Sequence, residues 1–436
     1  MRKQRPLAVA SLVALVVALA VAAAGCGGDD GGGGAQGSED VTGSLAVQAI
    51  WGGTEQESFQ AVIDGFTALY PNVSVSYTSG GDNNAQLLST AVEGGNPPDI
   101  AAIGQPGLMR DFVAKDALVS IDDLQSAVVD NFGESVADIG TVDGTLYGLM
   151  FKGANKSTIW YHVPSFEDAG VAVPETWDDL LAAASTLKDA GVPAYSIGGA
   201  DGWTLTDLFE NVYIRTAGPE MYDQLTNHEI PWTDQSVKDA LARMAEVLGD
   251  ADNLAGGGDG ALQTDFPTSV SNVFSDSPKA AMVIEGDFVP GVVESTLEPE
   301  TGYNVFTFPS IDGSAPAVVG GGDLFVLFND TPAGKAFMEY LTTAEAAEIW
   351  AARGGFSSPN KNLDAGVYPD EITRATAGAL GEAEVFRFDL SDLQPSAFGG
   401  TVGQGLFKLF QDFLANPDDV DGITQQMEDE AAKAFG

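Results

Sequence analysis

One cysteine, Cys26, is all that this chain of 436 residues holds, and its position limits what the rest can become. It closes an apolar run from Leu7 to Ala24 that only Ser11 interrupts. Three positive charges, Arg2, Lys3 and Arg5, precede the run, and Ala23-Ala24-Gly25 lead into the cysteine. A basic start, an apolar middle and a small-residue ending mark an export signal, because a peptidase binds an extended backbone without bulky side chains. No other thiol exists downstream. The exported body must therefore hold itself by packing, with no disulfide, cysteine metal site or catalytic thiol.

The ending resembles a bacterial lipobox, whose cysteine is acylated and becomes the new N-terminus. Residues 1–25 are then expected to be a lipoprotein signal peptide. A spanning helix is the alternative for a run of this length, but such a helix needs no cysteine at its end. Acyl chains, at about 0.8 kcal/mol per buried methylene, would hold the protein to a membrane. Gly27 to Asp40 has no apolar side chain larger than alanine, so residues 26–43 read as the lipidated cysteine and a flexible Gly-rich linker. The expected location is outside the cytoplasm, anchored to the cell membrane through Cys26.

About 400 residues follow the linker, more than one ordinary core serves and enough for two or more domains. The chain is 44 % hydrophobic with six Trp and 23 Phe, which supplies a substantial interior. Its net charge is −44, and removing residues 1–25 makes the remainder more negative still. Such acidity argues against nucleic acid and against adhesion to anionic lipid by charge, and suits solubility in a salty or crowded exterior. No metal or cofactor is expected. His162 and His228 have no neighbouring ligand pattern, no Gly-x-Ser-x-Gly turn occurs, and the glycine clusters lack a Gly-Lys-Ser/Thr ending. Asp419, Asp421, Gly422 and Glu428 approach a calcium loop, but Pro417 stands at the first ligand position, so the stretch reads as a helix start. With 63 acids, a glycosidase carboxylate pair stays open as an alternative. A lipid-anchored adhesin or scaffold is a third class.

Along the body, Ser44–Trp51 reads as a buried strand. Thr54 then caps a helix over Glu55–Leu69, with Phe59, Val62, Ile63, Phe66 and Leu69 on one face. Val73–Tyr77 is a strand, Asn84–Glu93 a helix and Ile100–Ile103 a strand, an alternation that predicts an α/β unit with a largely parallel sheet. Further helices are expected at Ser165–Ala169, Thr176–Ala190, Thr204–Thr216, Gln235–Leu248, Asp287–Ser295, Pro332–Leu341, Thr343–Ala352, Val402–Leu414 and from Asp418 onward. Gly256–Gly260 is a loop. Ala280–Ile284, Tyr303–Phe308 and Leu324–Phe328 are strands.

This order of signals resembles the extracellular solute-binding proteins of bacterial ABC importers, the carbohydrate-binding group that includes maltose-binding protein. The carriers are Gly94-Gly-Asn-Pro-Pro-Asp-Ile100, Asp143-Gly-Thr-Leu-Tyr-Gly148, Trp160-Tyr161 leading to Val173-Pro-Glu-Thr-Trp-Asp-Asp-Leu180, Lys279-Ala-Ala-Met282 with Gly286-Asp-Phe288, and Ala333–Leu341 before Gly354-Gly-Phe-Ser-Ser-Pro359. Gly52-Gly-Thr-Glu55, Trp203–Arg215 and Gly320-Gly-Gly-Asp323 resemble the α-glucoside branch most. The resemblance implies an α/β fold of the periplasmic-binding-protein type (type II-like): two lobes joined by several crossover segments, with a ligand cleft between them. Lobe 1 is expected at 44–152 plus 306–354 and lobe 2 at 156–302 plus 358–436. It further implies a monomer that closes on a saccharide by hinge motion, does not alter it, and delivers it to permease subunits.

A sugar has a rim of hydroxyls and an apolar C–H face, so its site needs aromatic plates and planar polar groups. Trp203, between a Gly-rich loop and a helix, is the first candidate plate, with core burial as the alternative. Asp207 and Glu210 follow on that helix, where a solvated helix start would look the same. Phe288 stands after Gly286, where the family commonly carries a stacking aromatic. Trp51 and Glu55 flank the Gly52-Gly53 turn at a strand end. Gln105 follows the Ile100–Ile103 strand, Asn155 lies at a crossing, and Asp323 and Arg353 complete the set. Trp177 and Trp350, at helical apolar spacing, are assigned to the core.

Overall fold

The computed structural model describes residues 37–293 and 297–436. The expected signal peptide, Cys26 and the first part of the linker lie outside the described residues. β1 (Gly43–Ala49), β2 (Val73–Ser79) and β3 (Ile100–Ile103) are parallel, with β1 in the middle. Parallel neighbours require crossovers, which helices Gly53–Leu69 and Asn84–Glu93 provide. Phe59, Val62, Ile63 and Phe66 are buried as their spacing predicts, but Leu69 is 38 % exposed. The first of these helices begins at Gly53 with Gly52 at the cap and no side-chain cap bond, so Thr54 does not cap it. β4 (Thr141–Val142) and β5 (Thr145–Leu146) form a hairpin across Asp143 and Gly144, whose φ of 50° and 80° suit a two-residue hairpin turn.

β6 (Gly148–Asn155) leads into β7 (Thr158–His162), which pairs antiparallel with β8 (Met282–Ile284) and β9 (Tyr303–Thr307) in a separate sheet. β10 (Val318–Leu327) returns to the first sheet, antiparallel to β3 and β6, and β11 (Phe386–Phe388) pairs parallel with its start. The chain therefore passes between sheets at residues 156–157 and again at 308–317. Each sheet is covered by helices on both faces. Trp51, Phe59, Phe66, Phe337 and Trp350 fill one side of the first sheet, and Leu108, Met109 and Phe112 the other. Leu180, Phe209, Trp232, Leu241 and Phe410 belong to the core of the second body, with Trp160, Phe266 and Val270 in its smaller partner cluster. Truncating one such aromatic costs about 3–5 kcal/mol. Trp177 and Trp350 are both buried.

Three expectations change. β10 starts at Val318, well before Leu324, and takes in Gly320-Gly321-Gly322. Glycines weaken an isolated strand pattern, but here they are required by close approach. A Cβ would lie 2.3 Å from the Phe386 ring at 320, 2.8 Å from Lys156 Cε at 321 and 2.4 Å from Met150 Sδ at 322. Gly257–Ala261 is a short helix rather than a loop, entered through Gly256 at φ 77°. Among the described residues no α-helix follows Asp287: a 3-10 turn at Val289–Gly291 stands in its place, and Ser295 lies outside the described residues. Among the described residues no helix is long and apolar enough to cross a membrane.

Candidate functional site

Helix Trp203–Thr216 is the main support of the site. Gly202, at φ 84°, turns the chain into it, and a Cβ there would meet Phe407 Cβ at 2.5 Å. Leu205, Leu208, Phe209 and Val212 pack into the core. Asp207, Glu210 and Asn211 are also buried, so the solvated helix start is excluded. Asp207 and Asn211 face the first passage between sheets. Asn211 Nδ2 donates to Lys156 O at 2.9 Å, and Ser157 Oγ donates to Asn211 Oδ1 at 2.5 Å.

Lys156 is the hub. Its Nζ lies 3.0 Å from Asp207, 2.5 Å from Asp389 and 3.7 Å from Asp392, and 5.7 Å from the centre of the Trp203 ring. Burial pushes the ammonium pKa down, but Asp207, Asp389, Asp392 and Glu210 outweigh it and hold the pKa well above the usual lysine value. Burial pushes Asp389 up, yet Lys156 and hydrogen bonds including that from Asp392 N bring it down to about 2. Asp207 and Asp392 are raised, first by burial. One lysine thus neutralises part of a cluster that cannot all ionise.

A cavity that shares Trp203 with this cluster is lined by Ile50, Asp82, Asn84, Gln105, Asp323 and Trp203, with Ala85, Gly104, Gly400 and Phe407. Elements of the first sheet's body supply Gln105 and Asp323, and the second supplies Trp203. Trp203 meets Phe266 at 5.1 Å and Phe288 at 6.0 Å between ring centres. Burial raises Asp82, with Asp265 adding to it, and Asp201 is pushed up to about 7 by burial, Asp82 and Asp265. Beside this, Lys152 Nζ donates to Glu55 at 2.6 Å and sits 5.8 Å from the centres of both the Trp51 and Phe288 rings.

The structure brings Gln105, Trp203 and Asp323 to one cavity, Asp207 to Lys156, and Glu55 and Phe288 to Lys152. The other candidates are occupied by the chain. Trp51 is 1 % exposed, with ring centres of Trp350 and Phe59 at 4.8 and 4.9 Å, so it belongs to the aromatic core. Glu210 accepts from Leu390 N, Ser391 N and Tyr222 OH at 2.8, 2.9 and 2.9 Å, which braces the 390–393 turn. Asn155 Oδ1 accepts from Ser157 N at 3.0 Å and fixes the passage. Arg353 is exposed and donates to Ser58 Oγ at 3.1 Å. Lys152, Lys156, Asp82, Asn84, Asp201 and Phe407 are absent from the sequence-based set. The two lysines had a signal: cations four apart inside the apolar stretch 149–156 of a chain poor in basic residues must be paired. Asp389 and Asp392, over 230 positions away from Lys156, had none. Among the described residues no group of three or more His, Cys, Asp or Glu is arranged to hold a metal.

The family model for bacterial extracellular solute-binding proteins matches residues 52–348. The osmoprotective compounds-binding protein GgtB of Synechocystis sp. is 34 % identical over 86 % of this chain and 90 % of its own. The alpha-glucosides-binding periplasmic protein AglE of Rhizobium meliloti is 32 % identical over 84 % of this chain and 81 % of its own. Among solved structures, the bacterial solute receptor AcbH superposes with a TM-score of 0.78 at 19 % identity, covering 90 % of this chain and 99 % of that one, a likeness of fold. The fold is accordingly the two-lobed one of these receptors, its cleft lying where the two bodies meet, and the chain belongs to the bacterial extracellular solute-binding proteins, whose role is to bind a substrate for transport.

Proposed function

We propose that this protein is the lipid-anchored binding component of a carbohydrate ABC importer, taking an α-glucoside or other oligosaccharide without altering it. The observation that carries the reading is the composition of one cavity. Trp203 offers an aromatic plate, and Gln105, Asp323, Asn84 and Asp82 offer planar polar groups from the opposite body. A sugar needs both at once, since burying its C–H face leaves hydroxyls that must be paired. Two relatives named for osmoprotective compounds and alpha-glucosides support this substrate class. We take the lobes as 44–152 plus 306–354 and 156–302 plus 358–436, except that all of β9 (303–307) goes with β7 in the second and β11 (386–388) goes with β10 in the first. Closure turns on residues 156–157, 308–317 and 354–358. Acylated Cys26 and the linker tether a monomer near its permease.

Thermal melts and small-angle scattering with maltose, trehalose, sucrose and longer oligosaccharides test the reading. A sugar at 100 times its Kd adds about 2.7 kcal/mol to stability, and closure reduces the radius of gyration. A melting temperature and scattering curve unmoved by every sugar would remove the reading, and hydrolysis of α- or β-glucosides would favour an enzyme instead. Cys26→Ser expressed in the native host should appear in the medium rather than the membrane fraction.

A further inference from the structure

Helix Pro106–Ala114 of the first body carries Gln105 at its N-cap, so the seating of this helix decides where that cavity-lining amide stands. One side of the helix is held at home, with Leu108, Met109 and Phe112 in the first body's core. The other side meets the second body. Arg110 Nη1 donates to Leu393 O at 3.1 Å, and Ser396 Oγ donates to the Asp111 carboxylate. A Cβ at Gly107 would lie 1.9 Å from Gln394 O, and one at Gly400 would lie 2.6 Å from Gln105 Cγ. The stretch 390–400 follows β11 but is fastened to the second body. Leu390 N and Ser391 N donate to Glu210, Gln394 Nε2 donates to Thr226 O at 3.0 Å, and Phe398 lies in the second core. Among the described residues, Arg110 and Asp111 make no other side-chain hydrogen bond. Two neighbouring charged side chains thus direct their hydrogen bonds to the opposite body, and bonds to charged groups are the stronger kind.

We propose that Arg110 and Asp111 are positioning residues: by clasping Leu393 O and Ser396 Oγ of the other body they hold Gln105 against Gly400, in the Trp203 cavity, for as long as ligand is bound. This rests on the saccharide-binding reading above. Neither side chain lines the cavity, so neither is a ligand contact. Bonds that join the two bodies are lost when the bodies part, so the clasp belongs to the closed form alone. It slows release and leaves capture by the open form unchanged.

The test is stopped-flow fluorescence and calorimetry of the full chain with maltose, trehalose and sucrose. For whichever sugar binds, Arg110→Ala and Asp111→Ala should each speed release about tenfold, as for a lost hydrogen bond to a charged group. The association rate should stay within about twofold of wild type. Arg110→Lys and Asp111→Asn, which still donate and accept, should recover most of the loss. In a Gln105→Ala background the two alanine variants should add little, because the group they position is gone. Ligand-free melts should stay near wild type, since Arg110 is exposed and Asp111 half-buried. If Asp111→Ala melts early, Ser396→Ala removes the same bond from the other side and should speed release alike. Release rates unchanged in the alanine variants, a loss that falls on capture instead of release, or losses that add in full to that of Gln105→Ala would overturn the clasp and leave the saccharide reading standing. Absence of binding by the wild type to every sugar would overturn that reading, and the clasp with it.

Discussion

Lys156 Nζ lies 3.0 Å from Asp207 Oδ1, joining the first passage between the sheets to the helix that begins at Trp203. Both groups are buried, and Asp389 and Asp392 share the ammonium. Breaking such a group from one side leaves uncompensated carboxylates, which costs about 3–5 kcal/mol. Lys156→Met should therefore lower the unfolding free energy by that order, read from the urea midpoint and m-value. Adding Asp389→Asn should recover part of the loss, because it removes the carboxyl held most firmly ionised.

Trp203 is only partly buried, while its ring faces the cavity and touches Phe266 and Phe288. Trp203→Ala should weaken sugar binding by about tenfold or more, since an aromatic pairing adds roughly 0.5–1.5 kcal/mol beyond the area it buries. The ligand-free melting temperature should shift by only a few degrees, as for loss of about 1 kcal/mol in a chain this large. Trp203→Phe should fall between. Titration of intrinsic fluorescence and a thermal melt read the two effects separately.

Asp201 supplies the pH dependence. Its Oδ2 accepts from Phe266 N at 2.6 Å, while Asp82 and Asp265 face it and burial lifts its pKa to about 7. A folded-state pKa raised above the unfolded one stabilises fully below the ordinary carboxylate range, and that stability is lost as pH rises toward and through the folded value. Unfolding free energy should thus fall between about pH 4 and pH 7 from this group. Asp201→Asn should flatten part of that slope in melts at pH 5, 6, 7 and 8. An unchanged slope would show that Asp201 does not carry the proton.

Arg215 fastens the second passage. Its guanidinium donates to Ala317 O at 2.7 Å and Phe308 O at 3.3 Å, the two ends of the stretch between β9 and β10, and lies 4.7 Å from the centre of the Phe308 ring. Burial lowers its pKa to about 9. Arg215→Ala leaves these carbonyls unpaired at about 1–3 kcal/mol each, so it should destabilise the protein clearly in chemical denaturation. Arg215→Lys should recover only part, lacking the planar fork.

How much was legible follows from range along the chain. The β1–β3 alternation, the helix start at Thr176 and the helix from Pro332 rest on residues a few positions apart, and they stand as read. Trp203 lines the cavity, and the Gly-rich loop that delivers it is visible in the sequence. Glu210 and Asn155 accept from Leu390 N and Ser157 N, backbone donors that composition does not reveal. The strand at Leu324–Phe328 was readable but its extension back through Gly320–Gly322 was not, since the atoms that crowd those glycines come from Phe386, Lys156 and Met150.

Calorimetric titration of the full chain with maltose, trehalose, sucrose and longer oligosaccharides tests the central claim most directly. One site per chain is expected with a Kd of roughly micromolar, near −8 kcal/mol, abolished or sharply weakened in Trp203→Ala. No heat with any saccharide at millimolar concentration, or unchanged affinity in Trp203→Ala, would contradict it.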